Sequence, residues 1–210
     1  MCKIFQIVGI NTTKKELRRN LVGIAKKIAH IANEQDFLID AIGTHKEFKK
    51  ALAELFDVPE HMTLHYRNQR GSNNYEPANC LLGLGDSNVP TSVVERVSHA
   101  LHSDSDKAFG TYKNGQIVRV VRGGRATGKD KRVQAVARMM QEEEAHQFVQ
   151  RLRGILAEKE KMVLYVGRYD FSQFGIQTIV IDASQLKGQS KVVQNALDVY
   201  HTRKSDSRRS

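Results

Sequence analysis

The sequence predicts an α/β domain with a mainly parallel sheet flanked by helices, and three observations carry that reading. Strand-like and helix-like segments alternate from the first residues onward as βαβα. The strand candidates are short and rich in β-branched and aromatic residues, as buried strands are. The 210 residues are 40% hydrophobic, enough to fill one sizeable core.

The elements follow in order. Residues 3–10 form an apolar run that breaks at Gly9. Asn11, Thr12 and Thr13 then make a cluster of helix-capping residues. Leu17, Leu21, Ile24, Ile28 and Ile31 recur at helical spacing with Lys and Arg between them, which predicts a basic amphipathic helix. A second strand is expected over 37–42, ending at Gly43-Thr44-His45, and a second helix over 46–56 around Phe48, Leu52 and Leu55. Short extended segments at 62–65 and 80–84 flank a polar loop, and Val94, Val97 and Leu101 mark a helix over 91–101. A strand at 117–121, a glycine-bearing basic loop, a helix over 131–156, strands at 162–166 and 177–181 and a helix at 190–200 complete the pattern. Residues 1–200 are read as one domain. Residues 201–210 contain no apolar side chain and are expected to be a disordered basic tail.

Composition narrows the function classes. Lys and Arg outnumber Asp and Glu to give a formal charge of +10 and a pI near 9.7, which favours polyanionic partners over neutral ones. Cys2 and Cys80 are far apart and outside any Cys/His cluster, which argues against a disulfide framework or zinc module and suits a reducing cytoplasm. No apolar run approaches the roughly 20 residues of a membrane helix. His61 and His65 would share a metal at i and i+4 only on a helix, and their surroundings read as a strand, so no metal site is expected.

Two segments have chemistry in their spacing. In Arg70-Gly71-Ser72-Asn73 a glycine lets the backbone approach a phosphate, with short polar groups and a cation beside it. A solvated turn has the same composition. On the long helix Glu144, Gln147 and Arg151 share one face, so that Arg151 can set a planar guanidinium against a phosphate with Gln147 beside it. Arg153 points about 200° away on a regular helix and joins them only if the helix ends there.

Taken in order, FLIDAIGTHKEF, LHYRNQRGSNNYEPANCLLGLGD and QEEEAHQFVQRLRGIL resemble the second RecA-like domain of superfamily-two helicases, particularly plasmid and viral relatives. The resemblance spans Phe37 to about Val166. It implies a RecA-like sheet, contact of Thr44, His45, Lys46 and Arg70 with a nucleic-acid backbone, and a role for Gly71, Ser72 and Asn73 in linking nucleotide and strand. It also implies Arg151 as an arginine finger, with Gln147 and Arg153 in the same catalytic group. Gln150 stands where the family usually has Gly, and Gly154 where Pro is common.

Two further motifs are imitations. Gly123 to Lys129 fits G-x-x-x-x-G-K, but Asp130 stands where a Ser or Thr would meet magnesium, and its carboxylate repels phosphate. Glu143-Glu144-Ala145-His146 imitates an acidic helicase box but lies inside a helical pattern instead of after a strand.

Without those two elements the chain is expected to be the C-terminal half of an ATP-dependent helicase or translocase. ATP and Mg2+ would be held mainly by a first RecA-like domain outside this chain. Alone, it should hydrolyse little or no ATP. A fragment, a split protein and a degenerate remnant all fit. The expected strand is single-stranded nucleic acid, with DNA assumed although no residue separates it from RNA. Two alternatives stay open: a self-sufficient P-loop nucleotidase using Lys129, and a non-catalytic nucleic-acid-binding module.

Overall fold

The computed structural model describes residues 2–66, 75–87, 89–104, 109–110, 119–120, 126–127, 130–151, 160–169, 171, 176–186 and 190–208. They divide into two compact units, one of residues 1–85 and 148–210 and one of residues 86–147. The single domain expected over 1–200 is thus a sheet-bearing unit interrupted by a second unit.

The first unit holds β1 (Cys2–Val8), α1 (Lys14–Glu34), β2 (Ala41–Thr44), α2 (Lys49–Leu55), β3 (Thr63–His65) and β4 (Cys80–Leu84). In chain order α3 (Thr91–Leu101), β5 (Arg119–Val120) and β6 (Ala126–Thr127) follow, and α4 (Lys131–Gln150) ends three residues beyond the second unit. The first unit closes with β7 (Lys161–Val166), β8 (Thr178–Asp182), α5 (Ser190–Gln194) and α6 (Ala196–Ser207).

Six strands form one sheet in the order β3-β2-β4-β7-β1-β8, and every pairing is parallel. The expected α/β class is therefore the observed one, and the arrangement is compatible with a RecA-like fold. All strands run the same way, so Val8, Thr44, His65, Leu84, Val166 and Asp182 share the carboxyl edge of the sheet.

Side-chain alternation assigns the two faces. Phe5, Ile7, Ile42, Leu82, Leu84, Leu164 and Val166 form one core with residues of α1, α2 and α6. The opposite face is low at its centre, because the register partners Gly43 and Gly83 lie side by side. The ring of Phe148, from the end of α4, rests on both. A Cβ at Gly83 would stand 2.7 Å from that ring and 2.9 Å from Tyr165, so this close approach requires glycine.

The capping cluster before α1 acts as expected: Asn11 Oδ1 accepts from Thr13 N, and Thr13 Oγ1 accepts from Glu16 N. The second strand lies later than predicted. Asp40 belongs to the lead-in, where its carboxylate accepts from the N–H groups of Asn79 and Cys80 and fastens the amino ends of β2 and β4 together. The strand expected at 117–121 does not join the main sheet, since Arg119–Val120 pairs antiparallel with Ala126–Thr127. The second unit has its own core of Val89, Val94, Val133, Val136 and Ala137, where α3 packs on α4.

The expectation of a disordered tail is overturned. α6 runs through Ser207, with Tyr200 and Lys204 buried. The Lys204 ammonium donates to the carbonyls of Ile39 at 2.6 Å and Phe56 at 3.0 Å, while Arg203 and Arg208 pair with Asp36 and Asp57. Long cationic side chains bury their aliphatic stems and satisfy backbone carbonyls, so this helix docks without aliphatic residues in its last turns.

Candidate functional site

Three sequence-predicted residues lie where β2 meets the carboxyl edge. Thr44 is fully buried, and its hydroxyl donates to Leu84 O at 3.1 Å, tying the ends of β2 and β4. His45 is buried among aromatic neighbours, edge-on to Phe48 and to Tyr66 with centroids 6.3 and 5.5 Å away. Lys46 opens a single 3-10 turn and is exposed. Of this trio, the lysine presents its side chain to solvent and the other two shape the edge beneath it.

Around Lys46 the edge is cationic. Lys14, Lys15, Arg18 and Lys46 are exposed, and Lys49 and His65 are partly buried beside them in the same unit. Glu47 forms ion pairs with Arg18 at 2.8 Å and Lys14 at 3.8 Å. The hydrogen bonds from Arg18 hold the Glu47 carboxyl below its usual range, with the charges of Arg18, Lys14 and His45 adding to the effect. Burial lowers the His65 pKa, and Lys49 and Lys46 lower it further.

Tyr66 follows β3 at this edge. Its hydroxyl donates to Gly85 O at 2.5 Å, and its ring lies 5.6 Å from that of Phe148. Gly85 has φ +88°, the left-handed region, and a Cβ there would meet His45 Nε2 at 3.1 Å. Tyr66 therefore touches both places where the chain passes between the sheet-bearing unit and residues 86–147.

Arg70, Gly71, Ser72 and Asn73 lie outside the described residues, as do Lys129 and Arg153. Tyr75 is buried and donates from its hydroxyl to Thr63 O at 3.3 Å. Glu76 O and Ala78 O accept from the buried Lys161 ammonium at 2.9 and 2.6 Å. These contacts place Tyr75 and Glu76 toward the amino ends of β3 and β7.

Arg151 follows the last residue of α4, and its N–H bonds Phe148 O, a tightening that marks the helix end. Its Nε is buried and, among the described residues, has no hydrogen-bond partner. The guanidinium lies within electrostatic reach of Tyr75: burial raises the phenol pKa, and the charge of Arg151 opposes that rise. Gln147 belongs to the other unit, where its amide donates to Glu143 Oε1 at 2.7 Å, one turn back along α4.

Both imitation motifs have structural roles where described. Asp130 Oδ1 accepts from Arg132 N at 2.9 Å at the start of α4, and its carboxylate pairs with the Arg132 guanidinium at 2.7 Å. Those bonds hold Asp130 well below the usual carboxylate range. Glu143 to His146 lie within α4, with Glu143 exposed and Ala145 buried, as on any helix packed along one side. His61 sits in a 3-10 turn and His65 in β3, so the pair lacks helical spacing.

Sequence reasoning missed Lys49 and His65 as companions of Lys46. The signal was present in the i, i+3 spacing of the lysines, but the pairing of β2 with β3 that brings His65 alongside is not local. Comparisons with protein-family models, with characterised proteins and with solved structures find no match for the chain.

Proposed function

We propose that this chain is the second motor half of an ATP-dependent helicase or translocase acting on single-stranded nucleic acid. The observation that carries the reading is Arg151: a guanidinium at a helix end, its buried Nε without a partner among the described residues, with its charge reaching Tyr75. A buried donor without a partner is costly, by about 1–3 kcal/mol, and sites that complete themselves on a ligand tolerate that cost.

In this reading Arg151 faces the terminal phosphate of an ATP whose phosphate cradle and Mg2+ ligands come from a first RecA-like domain. Its planar fork neutralises charge that develops on the transferring phosphoryl group. Gly71, Ser72 and Asn73 link that nucleotide to the strand. Lys46, with Arg70, holds the strand by its phosphates, which gives weak sequence preference and strong salt dependence. Gln147 and Arg153 remain the companions that the family resemblance suggests.

ATP turnover by the purified chain tests this against its first alternative. The isolated chain is expected to hydrolyse ATP at background rate with or without an oligonucleotide. Turnover above background that disappears in Lys129→Ala would instead establish a self-contained P-loop nucleotidase. The bonding of Asp130 to Arg132 favours the motor-half reading, because that carboxylate serves the start of α4.

A further inference from the structure

We propose that Lys204 is the reactive amine of a small-molecule site at the amino edge of the sheet, where it condenses reversibly with a small oxo acid to form an imine. The site lies at the opposite end of the strands from Thr44, and it stands or falls independently of the motor-half reading.

A cavity of about 250 Å³ opens here within the sheet-bearing unit. It is lined by Leu38 and Asp40 from the lead-in to β2, by Pro59 and Met62 from the lead-in to β3, and by Lys204 and Arg208 from α6 and its cap. Such a volume holds about eight water molecules at liquid density, which leaves room for a molecule of a few carbon atoms. Lys204 and Arg208 are four residues apart, and the cap keeps helical dihedrals, so both side chains leave the same face. The buried Lys204 nitrogen donates to Ile39 O at 2.6 Å and Phe56 O at 3.0 Å, which occupies two of its three N–H positions. A neutral amine keeps both bonds with its two N–H groups and has its lone pair at the third position, so loss of the proton leaves neither carbonyl unpaired. Burial pushes this amine down to about 8, with Arg208 adding to the effect, while Asp40, Asp57 and Cys80 oppose it. A desolvated lysine of this kind is a nucleophile near neutral pH.

The lining assigns the ligand class. A carbonyl carbon meets Lys204, a carboxylate meets Arg208, and a short aliphatic chain lies on Leu38, Pro59 and Met62. Arg208 is half exposed and gives one N–H to the Asp57 carboxylate at 2.7 Å and one to the Asp57 carbonyl at 3.1 Å, so its planar fork has further donors for an anion. The lone pair of Lys204 attacks the carbonyl carbon, the C=O pair moves to oxygen, and that oxygen takes the proton shed by nitrogen. The hydroxyl then takes a proton from solvent and leaves as water while the nitrogen lone pair forms C=N. Amine, ketone and one proton thus give an iminium ion and water, with no change of oxidation state. Asp40, whose carboxylate is fixed by the N–H groups of Asn79 and Cys80, supplies negative charge within electrostatic reach of that nitrogen.

The test treats the full chain with pyruvate or acetone in sodium cyanoborohydride, which delivers hydride to the iminium carbon and fixes the adduct as a secondary amine located by peptide mass mapping. We expect pyruvate to label Lys204 about tenfold faster than the exposed lysines near pH 7.5. Met62→Trp fills the cavity and should slow that labelling below the rate of the exposed lysines. Arg208→Gln should lower the ratio of the pyruvate rate to the acetone rate about threefold, a readout that separates recognition of the carboxylate from any change in the amine itself. Labelling of Lys204 no faster than the exposed lysines in the wild type overturns the reactive amine. Labelling of folded Met62→Trp at the wild-type rate overturns the cavity as the site, and an unchanged ratio in Arg208→Gln overturns the oxo-acid class.

Discussion

Gly83 and Arg151 show how one residue can permit a close approach or carry a buried donor without a partner among the described residues. The bare backbone at Gly43 and Gly83 lets the Phe148 ring rest against the sheet, and Phe148 in turn positions the helix end that carries Arg151. A methyl group at Gly83 pushes the ring off the sheet, so Gly83→Ala should lower stability by about 1–3 kcal/mol in denaturant unfolding. An unchanged midpoint would show that Phe148 does not pack there. The sequence singles out Arg151 because it sits at helical spacing from Gln147 ahead of a glycine. That its Nε is buried without a hydrogen-bond partner among the described residues could not be read there, since burial of a guanidinium nitrogen is a property of packing. Thr44 and His45 misled in the opposite direction: polar residues at a strand end read as exposed, whereas their hydrogen bonds and ring contacts let them be buried.

Elements were legible where their residues are committed to one environment. β4 and β7 are buried along most of their length, and their apolar runs reveal them. β2 lies later than its run suggests because Asp40 fastens the preceding residues to β4 by side-chain bonds that carry no periodic signal. α6 escaped notice because its last turns dock through Lys204, Arg203 and Arg208 instead of aliphatic side chains. That docking titrates. Burial lowers the Lys204 pKa from its ordinary 10.5 to about 8, with Arg208 adding to the effect. Between those values the unfolded chain holds more protons at this site than the folded one, so stability rises with pH as it passes 8. Above pH 9 the raised thiol of Cys80 acts in the opposite direction, and above 10 the raised phenol of Tyr200 does so too. Unfolding free energy should therefore increase between pH 8 and 9 in the wild type and stay flatter in Lys204→Met. Parallel profiles would remove Lys204 as the titrating group.

At the scale of the molecule, α/β alternation was readable throughout, and the all-parallel sheet follows from it. Division into two units was not readable, because the helical pattern of α4 runs unbroken across the boundary at residue 147. No helix among the described residues is long and apolar enough to cross a membrane. The +10 charge has a location in this account, since Lys14, Arg18, Lys46 and Lys49 lie about one edge of the sheet. In the proposed motor-half reading charge and guanidinium have separate duties: the carboxyl edge would hold the strand and Arg151 would act on the nucleotide. The most direct measurement is single-turnover ATP hydrolysis by the chain joined to a RecA-like domain with a complete Walker loop and acidic box, with wild type compared with Arg151→Ala. The account predicts a loss of about 10³-fold in rate with oligonucleotide affinity retained. Hydrolysis at the same rate in both proteins would contradict it.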